Sequence, residues 1–390
     1  MKVLFWMFVG FDQHATSEHL LLAIIERLCE EGNEVHIIQK NTGGNHSRIP
    51  EKIKKYNITT DVISFKAAKK RNFIARYLTD LKYISACKKY IGSDYDAVFI
   101  QSNNVAGFAL KIIRRRLPKA IVTYNVQDVF PYNAMYCGIV KKNGLVFKVL
   151  SSIQRYGYNH SNHVITISED MKETLISDGV NPQKIEVIYN WSYQDELYNE
   201  VDCSPISNMF NPRCFNVVYA GNIGVMQNVD ILIEAAKLMT EEENVWFHIV
   251  GNGIYREKLE TRAKEYELNN ISFWPLQPPE FAPAIYSSAD VNVIPLVKDI
   301  YRTALPSKTA TCLACHKSII FAIGKDSKFG NMVEKEGGGE VVESDNAEEL
   351  VQAIRKIKNS EIENRAGSVF LKYFKMSDGS RKYVELITRG

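Results

Sequence analysis

No stretch at the start of this sequence is apolar enough to enter or cross a membrane. The opening run Leu4-Phe5-Trp6-Met7-Phe8-Val9 is far shorter than the roughly 20 residues a span needs. No small-residue cleavage site follows it, so a buried first strand is expected rather than a signal peptide. Cysteine excludes a second class. The seven cysteines have no framework spacing, which argues against a disulfide scaffold and for free thiols in a cytosolic protein. Short repeats and low-complexity segments are also missing, so neither a solenoid nor a disordered chain is expected. The second half has no carboxylate pair at the C-terminal end of a strand, and no metal site is expected there.

Net charge is close to balance, at +3 over 390 residues, but it hides an asymmetry. Between Lys52 and Lys148 there are 19 Lys/Arg against 5 Asp/Glu, a local excess of 14. Such a basic region suits an anionic membrane surface. Nucleic acid is not expected, because no recognition motif accompanies the charge. Two basic clusters stand out. Lys69-Lys-Arg71 with Arg76 is interleaved with Phe73, Tyr77 and Leu78, and Arg114-Arg-Arg116 lies further on.

Apolar runs alternate with amphipathic stretches along the whole chain. Strands are predicted at Val3–Val9, Glu34–Gln39, Ala97–Ile100, Ile121–Tyr124, Val164–Ile167 and Lys184–Ile188, with a helix over Ser17–Glu31 ended by Gly32. A polar segment with Pro205 and Pro212, residues 199–212, reads as a linker. A second series follows at Val217–Ala220, Val245–Val250, Ile271–Trp274, Val291–Pro295, Ser318–Ile323 and Gly339–Val342. Gly367–Leu386 reads as a helical tail broken near Ser377-Asp-Gly-Ser380. This β-α-β order predicts an α/β protein of two doubly wound parallel-sheet domains with a cleft between them.

Three strand–loop–helix units in the second half have polar or glycine-rich mouths. They are Gly221-Asn-Ile-Gly224, Gly251-Asn-Gly253 with Arg256 one turn into the next helix, and Leu305-Pro-Ser307-Lys308. Glycines let backbone approach a ligand closely. A helix mouth carrying a hydroxyl and an ammonium is an anion site. Together they point to a nucleoside diphosphate at the C-terminal edge of the second sheet, with Ser307 and Lys308 on its phosphates and Gln227 close by. In the first half, Asp128 follows a buried strand and precedes Pro131, where a carboxylate could orient or deprotonate an acceptor hydroxyl. His14, in the loop after the first strand, is a second acceptor-side candidate.

The chain resembles retaining glycosyltransferases of family 4, with the GT-B fold of two Rossmann-like domains facing a central cleft. The resemblance covers nearly all of it. It is carried in order by Gln127-Asp-Val-Phe-Pro131, His163-Val-Ile-Thr-Ile-Ser168, Ile185-Glu-Val-Ile-Tyr-Asn190, Tyr219-Ala-Gly-Asn-Ile-Gly-Val-Met-Gln227, Gly251-Asn-Gly253, Ala289-Asp-Val-Asn-Val-Ile-Pro295 and Leu305-Pro-Ser-Lys308. The nearest subgroup is the bacterial capsule, O-antigen and exopolysaccharide enzymes.

The resemblance implies residues 1–198 as an acceptor-binding domain, 199–212 as linker, 213–366 as the nucleotide-sugar domain, and 367–390 as a tail packing back on the first domain. It implies a UDP-sugar donor held by Asn222, Thr309 and Thr311 as well as the residues above, without metal or other cofactor. The implied acceptor is a polyprenyl-diphosphate-linked saccharide, met at the inner face of the cell membrane by a cytoplasmic, peripheral protein. Transfer would proceed with retention, with Lys308 and Asp128 as the catalytic pair. A catalytically inactive GT-B subunit and a nucleotide-sugar epimerase are the alternatives.

The sequence departs from the family at several points. The family's Glu-x7-Glu pair would fall near Thr303 and at Thr311, and the lysine of the first glycine loop is replaced by Gln227 or Asn228. Cys312-Leu-Ala-Cys-His316 imitates a haem-attachment motif where the family has a core-packed helix, and Asp94-Tyr-Asp96 imitates a metal site at the wrong edge of a strand.

Overall fold

A computed structural model gives the structure of residues 1–11, 18–42, 49–65, 73–242, 244–361 and 363–389. His14 and the cluster Lys69-Lys70-Arg71 lie outside the described residues. The chain forms two compact units, Met1–Tyr189 with Met376–Gly390, and Asn190–Lys375.

The first unit is built on seven strands: β1 (Lys2–Trp6), β2 (Glu34–Asn41), β3 (Ile58–Ser64), β4 (Ala97–Gln101), β5 (Ile121–Val126), β6 (His163–Thr166) and β7 (Ile185–Val187). Their order is β3-β2-β1-β4-β5-β6-β7, and every pairing is parallel. Helices α1 (Glu18–Glu30), α2 (Phe73–Cys87), α3 (Ala106–Arg116), α4 (Tyr132–Tyr136), α5 (Leu145–His160) and α6 (Glu169–Ser177) connect them. The central strands are apolar on both faces: Val3 to Trp6 and Ala97 to Ile100 are fully buried, as a sheet covered by helices on both sides requires. β3 escapes the hydrophobic pattern because Ile58-Thr-Thr-Asp-Val-Ile-Ser is an edge strand, only partly buried, and pairs with β2 alone.

The second unit has six strands: β8 (Phe215–Ala220), β9 (Val245–Val250), β10 (Ile271–Trp274), β11 (Val291–Pro295), β12 (Ile319–Ala322) and β13 (Gly339–Val342). They are ordered β10-β9-β8-β11-β12-β13, again all parallel. Its helices are α7 (Asp230–Leu238), α8 (Arg256–Glu265), α9 (Ala282–Ser288), α10 (Thr309–Ala314), α11 (Lys328–Lys335), α12 (Ala347–Lys358) and α13 (Ala366–Tyr373). The last helix of the chain, α14 (Met376–Thr388), belongs to the first unit.

The first strand ends at Trp6, short of the expected Val9, and the domain and tail boundaries also differ from the sequence reading. Residues 199–212 are part of the second unit: Ile206 and Met209 are buried, and the Phe210 ring lies 4.7 Å from that of His248 on β9. The division falls at Tyr189/Asn190, ahead of that polar segment. The tail breaks at Phe374-Lys375, while Ser377–Ser380 is helical, with Gly379 and Ser380 on the buried side of α14. Small residues there let the helix lie close to its neighbours. Tyr383 on α14 donates to Asn125 Oδ1 at 2.9 Å, and Thr123 Oγ1 donates to the Leu386 carbonyl at 3.0 Å, tying α14 to β5. Among the described residues no helix is long and apolar enough to cross a membrane.

Candidate active site

In each sheet the strand order reverses beside the first strand of the unit, and chains there leave in opposite directions. That opens a crevice at the C-terminal strand ends. In the second unit the reversal falls between β8 and β11. The turn Gly221–Gly224 leaves β8, and the segment ending in Pro306-Ser307-Lys308 leaves β11. The two are joined by Lys308, whose Nζ donates to the carbonyl of Ala220, the last residue of β8, at 2.7 Å. The ammonium also sits 4.0 Å from the centroid of the Tyr219 ring. Burial lowers its pKa to about 8, the nearby Cys312 thiol opposing the shift weakly. No carboxylate among the described residues forms an ion pair with it. A partly desolvated cation without a counter-charge is the expected preparation for an anionic ligand.

Tyr219 is the residue that sequence reading misses. Its hydroxyl donates to the Asn222 carbonyl at 2.5 Å and its ring carries the Lys308 cation, so it shapes both sides of the crevice. The sequence does hold a signal: an aromatic with a polar tip, two residues ahead of a glycine turn at a strand's end. Its place in an apolar run makes it look like strand core alone.

Both glycine loops are brought together, but for a different reason from the one their composition suggests. Gly221 N donates to Val250 O at 2.9 Å, and Ile223 N to Asn252 O at 2.9 Å, so the loops after β8 and β9 run side by side. A Cβ at Gly251 would lie 1.9 Å from the Gly221 carbonyl oxygen, and one at Gly253 2.0 Å from that of Ile223. Close packing of backbone on backbone therefore accounts for glycine at 251 and 253. At Gly221 the added Cβ would instead meet Lys308 Nζ, at 2.9 Å. Asn222 is exposed, and its Nδ2 donates to Gln227 Oε1 at 3.2 Å across Gly224.

Arg256 is the first residue of α8, not one turn into it as expected. Its guanidinium is engaged with the chain itself, donating to Gly251 O at 2.5 Å, Trp274 O at 2.6 Å and Glu260 Oε1 at 2.7 Å. It clamps the second glycine loop to the end of β10. Helix α10 is six residues long, and Lys308 is its N-cap without a side-chain capping bond. Ser307 is exposed at its mouth. Thr309 is buried with its hydroxyl on Pro306 O at 3.2 Å. Thr311 is buried too, 3.1 Å from the Ser192 hydroxyl. Thr303 Oγ1 donates to Ile300 O at 3.1 Å. The motif-like residues nearby are structural. Cys312 and Cys315 are buried, their thiol pKa values raised by burial, and His316 Nε2 lies 2.9 Å from Asn199 Oδ1.

In the first unit Asp128 follows β5, and burial raises its carboxyl pKa against the opposing hydrogen bond from Asn133. A raised carboxyl pKa beside a strand's C-terminal end suits a proton acceptor. Asp94 and Asp96 are at the opposite, N-terminal edge of β4. Asp96 accepts from the Lys2 backbone N–H at 2.7 Å, and Asp94 pairs with the Lys2 ammonium at 2.5 Å. Among the described residues no group of three His, Cys, Asp or Glu is arranged to hold a metal ion.

Two family models match the chain in succession. Glycosyltransferase Family 4 covers residues 17–191 and Glycosyl transferases group 1 covers residues 208–368. The chain belongs to glycosyltransferase family 4, and its fold is GT-B. WcaI of Escherichia coli (strain K12), a glycosyl transferase assigned to colanic acid biosynthesis, is 29% identical over 55% of this chain and 54% of its own length. WbjE of Pseudomonas aeruginosa, named a glycosyltransferase, is 24% identical over 55% of this chain and 54% of its own length. The matched region thus spans about half the length of these curated relatives. Among solved structures, Anabaena Alr3699/HepE in complex with UDP and glucose aligns with a TM-score of 0.73 and 16% identity, covering 99% of this chain and 98% of that one. WaaG, a glycosyltransferase involved in lipopolysaccharide biosynthesis, aligns with a TM-score of 0.70 and 13% identity over 100% of both chains.

Proposed function

We propose that this protein transfers a sugar from a UDP-sugar to a lipid-linked saccharide in the assembly of a bacterial surface polysaccharide, with retention of anomeric configuration. The observation that carries the reading is Lys308: a half-buried ammonium with no carboxylate partner among the described residues, bonded to the last residue of β8 at the point where strand order reverses. Bond cleavage at the anomeric carbon leaves charge on the departing diphosphate. Lys308, assisted by the Ser307 hydroxyl and the N–H groups of the Gly221–Gly224 turn, would stabilise it. UDP is favoured because HepE was solved with it. Surface-polysaccharide assembly is favoured by the assignment of WcaI to colanic acid biosynthesis and the involvement of WaaG in lipopolysaccharide biosynthesis. The acceptor would be a polyprenyl-diphosphate-linked saccharide at an anionic membrane surface on the cytoplasmic side. Asp128 would take the acceptor's proton.

The purified protein, offered UDP-, GDP- and dTDP-sugars, is expected to release UDP from a UDP-sugar, and to do so in EDTA, because the proposed site neutralises charge with Lys308. Loss of all release in EDTA, restored by Mg²⁺ or Mn²⁺, would show the diphosphate site to be misread. A second reading, an inactive partner subunit, is favoured by Thr303 and Thr311, whose buried hydroxyls stand where the family's acids would be. Stoichiometric UDP binding with no turnover of any donor would decide for it.

Asp128 has its own test. Asp128→Asn should leave UDP affinity unchanged and cut transfer to an added acceptor by roughly 10²–10⁴-fold, the usual worth of a positioned base. Unaltered transfer by that variant would remove Asp128 from the chemistry.

A further inference from the structure

The loop and helix from Ile139 to Val149 carry a cluster of exposed apolar side chains that the fold leaves uncovered. Ile139, Leu145, Val146 and Val149 are 52%, 80%, 58% and 51% exposed. Elsewhere along the described chain such side chains occur singly. Leu145, Val146 and Val149 stand at i, i+1 and i+4 on the first turns of α5, so they share one face. The opposite face is anchored: Phe147 and Leu150 are buried, and Phe147 packs with Ala134 and Val140 in a small core of its own. The Tyr132 ring stacks edge-on against Phe147 at 5.3 Å. The turn between them is pinned by Gly144 N donating to Lys141 O and Lys148 N to Gly144 O, each at 3.0 Å. The apolar face is therefore displayed on a fixed base.

Three lysines are set among these residues. Lys141, Lys142 and Lys148 are exposed, and none forms an ion pair among the described residues. From Val129 to Ser168 the sequence contains no Asp or Glu at all. In the second basic cluster of the sequence, two of the three arginines are engaged with the chain. Arg114 is spent on the carbonyls of His160 and Ala120 and on Asn162, and Arg116 holds the carbonyls of Lys88 and Ile91.

We infer that Ile139–Val149 is the surface by which this protein docks on an anionic lipid bilayer, with Leu145, Val146 and Val149 entering the headgroup boundary and Lys141, Lys142 and Lys148 lying on the phosphates. This deepens the reading above, that the protein works at an anionic membrane, by naming the surface. Mixed apolar and cationic side chains on a short rigid projection fit a bilayer interface, where hydrocarbon lies beneath negative charge. A second copy of this chain fits less well, since two-fold pairing would set the lysines of both copies against each other. Nucleic acid would leave the apolar stripe in water.

The test is sedimentation of the full chain with phosphatidylcholine vesicles, with and without phosphatidylglycerol, at low and high salt. The wild type should bind only the anionic vesicles and lose affinity with salt. Lys141→Gln/Lys142→Gln/Lys148→Gln should weaken binding by roughly 100-fold. Leu145→Ser/Val149→Ser should weaken it by roughly tenfold while keeping its salt dependence. Donor hydrolysis in solution, at the wild-type rate, shows that each variant is folded. Wild-type vesicle binding by both variants would overturn this surface and leave the membrane reading standing. No binding by the wild type at low salt would sink both. A wild-type dimer that Leu145→Ser/Val149→Ser dissociates, with no vesicle binding, would also overturn the inference and name a second copy as the occupant.

Discussion

Lys308→Ala should lower turnover of the sugar nucleotide by roughly 10²–10³-fold, the worth of about 3–4 kcal/mol of transition-state stabilisation at one charge-assisted contact. Its melting temperature should hardly move. Among the described residues the lysine forms one hydrogen bond, to Ala220 O, and desolvation disfavours its own charge. Removing it therefore trades a lost hydrogen bond against a relieved desolvation cost. Wild-type kinetics in the alanine variant would remove Lys308 from the site.

The same residue makes pH a second probe. Its pKa in the folded protein is lowered to about 8, below the ordinary value of 10.5. Below about pH 8 the amine is charged whether the chain is folded or not, so the cost of burying that charge is then fully present. That cost shrinks as pH rises from 8 and is gone above 10.5, so this group's contribution to stability rises through the window. Donor affinity should move the other way. A diphosphate needs the ammonium, so Kd should rise as pH passes 8, up to about tenfold per unit until the amine of the complex also titrates. Calorimetric titration with UDP across this range checks the sign, and a Kd flat from pH 7 to 10 would contradict the contact.

What can be read in advance divides along a physical line. The inner strands are legible because a parallel sheet buried on both faces needs unbroken apolar runs, as in Val3–Trp6 and Ala97–Ile100. The strand ends then place Gly221, Lys308 and Asp128 at C-terminal edges. β3 escapes notice because Thr59, Thr60 and Asp61 interrupt any apolar pattern, and an edge strand needs none. The polar residues 199–212 look like a linker because few of them are apolar, yet Ile206 and Met209 are buried and Phe210 packs on His248. The site is legible as a set of mouths, but not as a set of contacts. Nothing local to the sequence says that Lys308 reaches back to Ala220, that Tyr219 lies beneath it, or that Arg256 is occupied with Gly251 and Trp274. Those depend on which loops the strand order makes neighbours.

Gly251→Ala puts that last point to the test. Glycines in such loops are commonly credited to phosphate approach, yet here the obstacle to a side chain is another loop. The new Cβ would sit 1.9 Å from the Gly221 carbonyl oxygen, at a residue whose φ of +144° also disfavours any side chain. Overpacking costs about 1–3 kcal/mol and a strained backbone about as much again. The second unit should therefore melt on the order of 10 °C lower, at the 2–4 °C per kcal/mol expected for its size. Gly32→Ala is the control. It shares a positive φ, +81°, but has nothing within 4 Å of the added carbon, so only the backbone term of about 1 kcal/mol applies. Donor binding should suffer in step, because the carbonyl that must yield belongs to Gly221, the residue after the one that holds Lys308. Scanning calorimetry and UDP titration on both variants separate the effects. If Gly251→Ala melted like the wild type and lost only UDP affinity, the glycine would be there for the ligand and the packing account of this loop would be wrong. A matched loss of stability and affinity, absent from Gly32→Ala, places the role of Gly251 in holding the two loops together so that Ala220 can hold Lys308.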